Sequence, residues 1–206
     1  MLRLTRSRLP MWRTISPLVL LLAAGATSAC SSDDASPAAP IRYDAPGPHR
    51  VGNRTVELYD AARDRKLRVE IWYPAAPETV AGGESVALFA ETGAGRDGLA
   101  AALSAATTAC VNDHTASTRG AKPLVGDKWP TLTFSHCHLC ARFSSFSLAE
   151  HLASHGFAVI ATDHTGGTMF DKMAGTNEGL TGAFLKTRAA DVSFLLDTAL
   201  GTGEAL

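Results

Sequence analysis

Between Thr133 and Phe143 the sequence reads TFSHCHLCARF, which gathers His136, Cys137, His138 and Cys140. Imidazoles and thiols at this density can do three kinds of chemistry. They can hold zinc, but a structural zinc site recruits a second ligand pair at recognisable spacing, and only His151, His155 and His164 are on hand nearby. They can form a thioredoxin-like dithiol, which belongs at the start of a helix after a strand. They can also sit on a tight loop whose backbone does the work while the side chains are incidental. This last reading is the one the rest of the chain favours, with His136, Cys137, Asp163 and His164 as candidate pocket residues. Ser135, His136 and Asp163 do not read as a nucleophilic triad, because a serine that merely ends a strand is not exposed on a sharp elbow.

The elements that must position these residues begin after a distinct leader. Arg3, Arg6, Arg8 and Arg13 precede the first acidic residue, Asp33, and the apolar run Ile15–Ala29 ends in small residues. Residues 1–29 therefore read as a secretory signal peptide, too short to be a stable membrane anchor. Cys30 follows at once, and ATSAC resembles a bacterial lipoprotein signal, in which that cysteine carries the lipid. Residues 30–50, rich in Pro, Ser and Ala, read as a tether. The expected location is the cell envelope, lipid-anchored through Cys30, with a secreted or periplasmic protein as the alternative. Without the four leader arginines the chain is net acidic and has no basic run, so nucleic acid is a poor partner. In an oxidising compartment a structural disulfide among Cys110, Cys137 and Cys140 is favoured over a metal site, although the sequence does not choose the pair.

The folded part, residues 51–206, reads as α/β. Arg54–Asp60 and Lys66–Pro74 alternate polar and apolar residues and predict an antiparallel hairpin, with Leu67, Val69, Ile71 and Tyr73 on one face. Residues 75–128 read as a loop and an insertion, with a helix near Gly98–Val111. Trp129–His136 predicts a central buried strand, and Ser147–Gly156 a helix with a Ser147/Glu150 capping box and a left-handed Gly156. Phe157–Asp163 predicts a second strand, and Ala183–Gly201 a helix burying Leu185, Ala189, Val192, Leu196 and Ala199. Strand, helix, strand, helix implies parallel strands with right-handed crossovers. Asp163 and His164, at a strand's carboxyl end, stand where α/β sheets bind ligands. His155 reads as a helix-end residue and Arg188 and Asp191 as a solvated helix face.

Thr133–Thr168, with its Ser-His strand end, turn, Arg142, helix into LASHGF, strand and Asp-His, resembles α/β-hydrolases related to platelet-activating factor acetylhydrolase, dienelactone hydrolase and cutinase-like esterases. Leu67–Ala75 is similar to their edge strands. The resemblance implies the N-terminal half of an α/β-hydrolase sheet and a carboxylic ester substrate, small or polymeric. It also implies an oxyanion-hole loop after the Trp129–Ser135 strand, with the His138 main-chain N–H as donor. No cofactor is implied. Cys137 and Cys140 replace residues that are usually small in these families, and a positive φ at Cys137 would be strained. No G-x-S-x-G occurs in the sequence, and the resemblance places that elbow one strand after Ala183–Gly201. The expectation is thus a chain cut before its nucleophile, inactive alone. The alternatives are a non-catalytic envelope lipoprotein that uses the half-fold for binding, and a metal or thiol protein centred on Cys137 and Cys140.

Overall fold

Backbone alternation does what the hairpin sequence asks of it. In the computed structural model, which describes residues 43–80, 82–83, 89, 94–105, 114–126 and 128–201, β1 (Arg50–Asp60) pairs antiparallel with β2 (Arg65–Ala75) along their whole length. The leader, Cys30 and Cys110 lie outside the described residues. α1 (Ala94–Ala105) begins four residues before the helix expected there, and its expected end lies outside the described residues. The same stretch supplies the two-residue strand β3 (Thr118–Arg119), parallel to β1.

β4 (Thr131–Ser135), α2 (Phe146–Ser154) and β5 (Ala158–Thr162) then form a parallel β-α-β unit, and β5 also pairs antiparallel with β2. The sheet order is β3-β1-β2-β5-β4. The strand expected at the centre, β4, is therefore the last of the described sheet, half-exposed along its length. β5 lies inside the sheet, between β2 and β4, and its near-continuous apolar run fits a strand covered on both faces. After β5 come a short helix, α3 (Met169–Ala174), and the long α4 (Gly182–Gly201).

Period-2 alternation divides the core between the two faces. Leu67, Val69, Ile71 and Tyr73 join Ile160 and Leu195 of α4 on one side. Trp72, Val159 and Ala161 join Phe143, Phe146, Ala149 and Ala153 on the other, beneath α2. α4 is rotated by about one residue from the expected face: it buries Phe184, Asp191 and Leu195, and leaves Leu185 half-exposed. The capping box is also displaced. α2 starts one residue earlier, at a Ser145 N-cap without a side-chain bond, whereas Thr168 and Asp171 cap α3 reciprocally. Glu150 instead accepts from Ala116 N–H, Ser117 N–H and Ser117 Oγ, fastening the 114–118 segment to α2. Gly156 does adopt the left-handed conformation expected of it, at φ 92°.

Packing begins before residue 51. His151 and His155 point a ring nitrogen at the carbonyls of Tyr43 and Ala45, and Gly47 and His49 donate to Ser154. The last part of the expected tether thus lies along α2, and His155 serves that contact as well as closing the helix with its main-chain N–H.

Candidate active site

The loop that leaves β4 is held by its own amides. Leu139 N–H donates to Gly167 O at 2.7 Å, Cys140 N–H to Cys137 O at 3.1 Å and Ala141 N–H to Ser144 Oγ at 2.9 Å. Arg142 N–H donates to Asp163 Oδ1 at 2.7 Å. The amides of Cys137 and His138 have no acceptor among the described residues. Polar main-chain groups are nearly always paired inside proteins, so free donors at the carboxyl edge of a sheet are candidates for binding an external oxygen.

The loop's strain falls elsewhere than expected. Cys137 keeps a negative φ, whereas Leu139 sits at φ 62°, in the left-handed region that bulky side chains rarely enter. Cys137 and Cys140 are joined as a disulfide with Cα atoms 5.2 Å apart, which selects the pair the sequence left open. Sulfurs bonded to each other are not thiolate ligands, and a zinc or dithiol centre would first require that bond to be broken. His138 turns its ring edge-on to Phe184 of α4, with ring centroids 5.9 Å apart. Gly167 makes room for that phenyl ring: a Cβ there would lie 2.6 Å from Phe184 Cζ.

Two buried charge networks bracket the loop. On one side Arg142 bonds Asp163 Oδ2 at 2.7 Å, Phe89 O at 2.5 Å and Glu70 at 3.3 Å. Glu70 also accepts from Asn53, Thr55 and Arg119. Asp163 is thus a brace for the loop and for Arg142, a role that fits its place at the end of β5.

On the other side the two residues read as a solvated face prove central. Asp191 is fully buried and accepts from Arg63, Arg65 and His164, while Arg188 donates to Ser135 Oγ and His136 O. Their sequence gave no sign of this, because the partners come from the hairpin turn and the end of β5. Burial pushes the Asp191 carboxyl up, but its bonds from His164, Arg65 and Arg63 outweigh that and hold it below the ordinary value. Burial likewise pushes His136 down, further than its bond to Cys137 O raises it. His136 is accordingly neutral, with Nδ1–H donating to Cys137 O at 2.6 Å and Nε2 accepting His164 N–H at 3.1 Å. Ser135, His136 and Asp163 form no relay: Ser135 bonds His164, and Asp163 bonds Arg142. His164, expected to line a pocket, is wholly buried.

Residues 41–171, well over half of the chain, match the family described as platelet-activating factor acetylhydrolase, isoform II. The chain belongs to that family. Among solved structures, a ferulic acid esterase from Streptomyces cinnamoneus is similar, with a TM-score of 0.59 and 26% sequence identity. The similarity covers 79% of this chain and 50% of that one, so the chain spans about half the length of the esterase. No match was found among curated proteins. As a platelet-activating factor acetylhydrolase family member the chain has an α/β-hydrolase-like fold, and the 136–142 loop occupies the strand-to-helix turn after β4.

Proposed function

We propose that this chain supplies the strand–loop half of an exported carboxylic ester hydrolase, with the His138 main-chain N–H as one donor of its oxyanion hole. The observation that carries the reading is that amide, without an acceptor among the described residues, on a loop whose next four amides, Leu139 to Arg142, are all engaged. Family membership and the similar ferulic acid esterase support an ester as substrate. A carbonyl carbon under attack develops negative charge on its oxygen, and a preorganised N–H aimed there contributes more than it would in water. The disulfide, the Leu139–Gly167 bond and the Phe184 contact hold that donor in place before substrate arrives.

The sequence holds no G-x-S-x-G, so hydrolysis is to be measured on the longest chain its gene encodes. His138→Ala keeps the amide and should retain wild-type kcat on p-nitrophenyl esters. His138→Pro removes the N–H and should lower kcat by about 100-fold or more. Equal activity in the two variants, with both folded, would refute the assignment.

The run Ile15–Ala29 and Cys30 support export and lipid anchoring in the cell envelope. Labelled palmitate should enter the wild-type protein and not Cys30→Ser. Equal labelling of both would remove the anchor from the proposal.

A further inference from the structure

Two histidines at the C-terminal end of α2 have the spacing and the bonding of a metal-chelating pair. His151 and His155 stand one helical turn apart on the same face, and their ring centroids lie 4.7 Å from each other. His151 Nε2 is 2.8 Å from Tyr43 O, and His155 Nε2 is 3.0 Å from Ala45 O. We propose that His151 and His155 together chelate one divalent transition-metal ion of the kind that favours imidazole, zinc(II) or copper(II), with water as the remaining ligands.

The hydrogen bonds select the ligand atoms. A carbonyl only accepts, so each Nε2 carries a proton, and the lone pair of the neutral ring is left on Nδ1. Histidines that bind metal nearly always donate their other ring N–H to a carbonyl, a carboxylate or water, which fixes the ring and makes the ligand nitrogen more basic. Both rings already have that partner here. The segment that lies along α2 supplies the two carbonyls, one to each imidazole.

The distance between the rings fits one shared ion. A zinc–imidazole bond is about 2.0–2.1 Å long, which puts each ring centroid about 3.2 Å from the metal. Two such rings at about 90–110° have centroids about 4.5–5.2 Å apart, and the observed 4.7 Å falls within that span. The pair also stands at a helix C-terminus, where the helix dipole favours a cation. Among the described residues no third His, Cys, Asp or Glu joins it, so the protein supplies two ligands and solvent the rest. Both side chains are half-buried, and His151 borders a cavity of about 680 Å³, which gives water access to the ion. None of this depends on the ester-hydrolase reading or on the His138 amide, so either assignment can fail without the other.

The test is titration of the purified protein with zinc chloride and copper(II) chloride, free thiols having first been alkylated so that sulfur does not compete. Calorimetry should find a site for one ion per chain. His151→Ala and His155→Ala should each weaken it by about 10-fold or more, because a single imidazole does not chelate. In the wild-type protein zinc should protect His151 and His155 from diethyl pyrocarbonate, whereas magnesium, which prefers oxygen ligands, should leave both reactive. Zinc should also slow amide exchange at 43–49, since the carbonyls that hold the rings are held in turn. Unprotected His151 and His155 at saturating zinc, or an affinity unchanged in both variants, would overturn the proposal. The footprint of the wild-type protein requires no variant to fold.

Discussion

His136 shows how a single side chain ties the loop to the sheet. Its neutral ring accepts from His164 N–H and donates to Cys137 O, and burial sets its proton affinity below the ordinary 6.5. The sign of the pH effect follows. As pH falls through about 6.5 the unfolded chain gains a proton that the folded ring refuses, so the unfolded state binds more protons and stability declines. Asp191 acts in the same direction at lower pH. Its depressed carboxyl contributes stability above the unfolded value of about 3.9 and loses it as pH falls through the folded one. Urea midpoints measured from pH 7.5 to 5 should therefore fall, with a flatter slope in His136→Gln. A midpoint that rises towards pH 5 would contradict the buried neutral ring. At this scale the sequence was only partly legible. His136 and Asp163 read as candidate pocket residues, and the structure makes both buried partners of the loop, whereas Arg188 and Asp191 read as a solvated face although Asp191 is buried. A charge on a helix reads as solvated unless its partner is known, and Arg65 lies 126 positions away from Asp191.

Among the elements, α2 carries the clearest case of a signal that was read and then used differently. Ser147 and Glu150 have capping-box spacing, yet Glu150 points away from the helix start to accept three hydrogen bonds from Ala116 and Ser117. Glu150→Ala leaves two main-chain donors and a hydroxyl of that segment without an acceptor, at about 1–3 kcal/mol for each buried group left unpaired. We expect a loss of about 2–4 kcal/mol in urea unfolding, together with faster amide exchange at 114–118. A change under 0.5 kcal/mol, of the order of an ordinary surface substitution, would show the contact to be unimportant. The hairpin and the β4-α2-β5 unit were legible because alternation and apolar runs are local signals. The face of α4 was not, since its apolar residues are spread around the helix and tertiary contacts chose Phe184 and Leu195. The place of β4 at the end of the described sheet depends on which strands pair with it, which no local pattern encodes.

For the molecule as a whole, the parallel β4–β5 pair directs its carboxyl ends, and with them the 136–142 loop and the 163–168 turn, to one edge of the sheet. The two turns are joined there by Leu139 N–H to Gly167 O and by Met169 N–H to Cys140 O. Arg142–Asp163 from one side and Arg188–His136 from the other hold the same edge. The proposed oxyanion role requires that rigidity, because such a donor works only if it is aimed before the charge forms. The most direct measurement is a crystal structure of the proposed hydrolase, in the longest chain its gene encodes, carrying a tetrahedral phosphonate adduct on the nucleophile that the proposal requires. The account predicts a phosphonyl oxygen about 2.7–3.1 Å from the His138 main-chain nitrogen. An adduct whose oxygen is bound by other donors, with the His138 N–H turned to the protein interior, would contradict it.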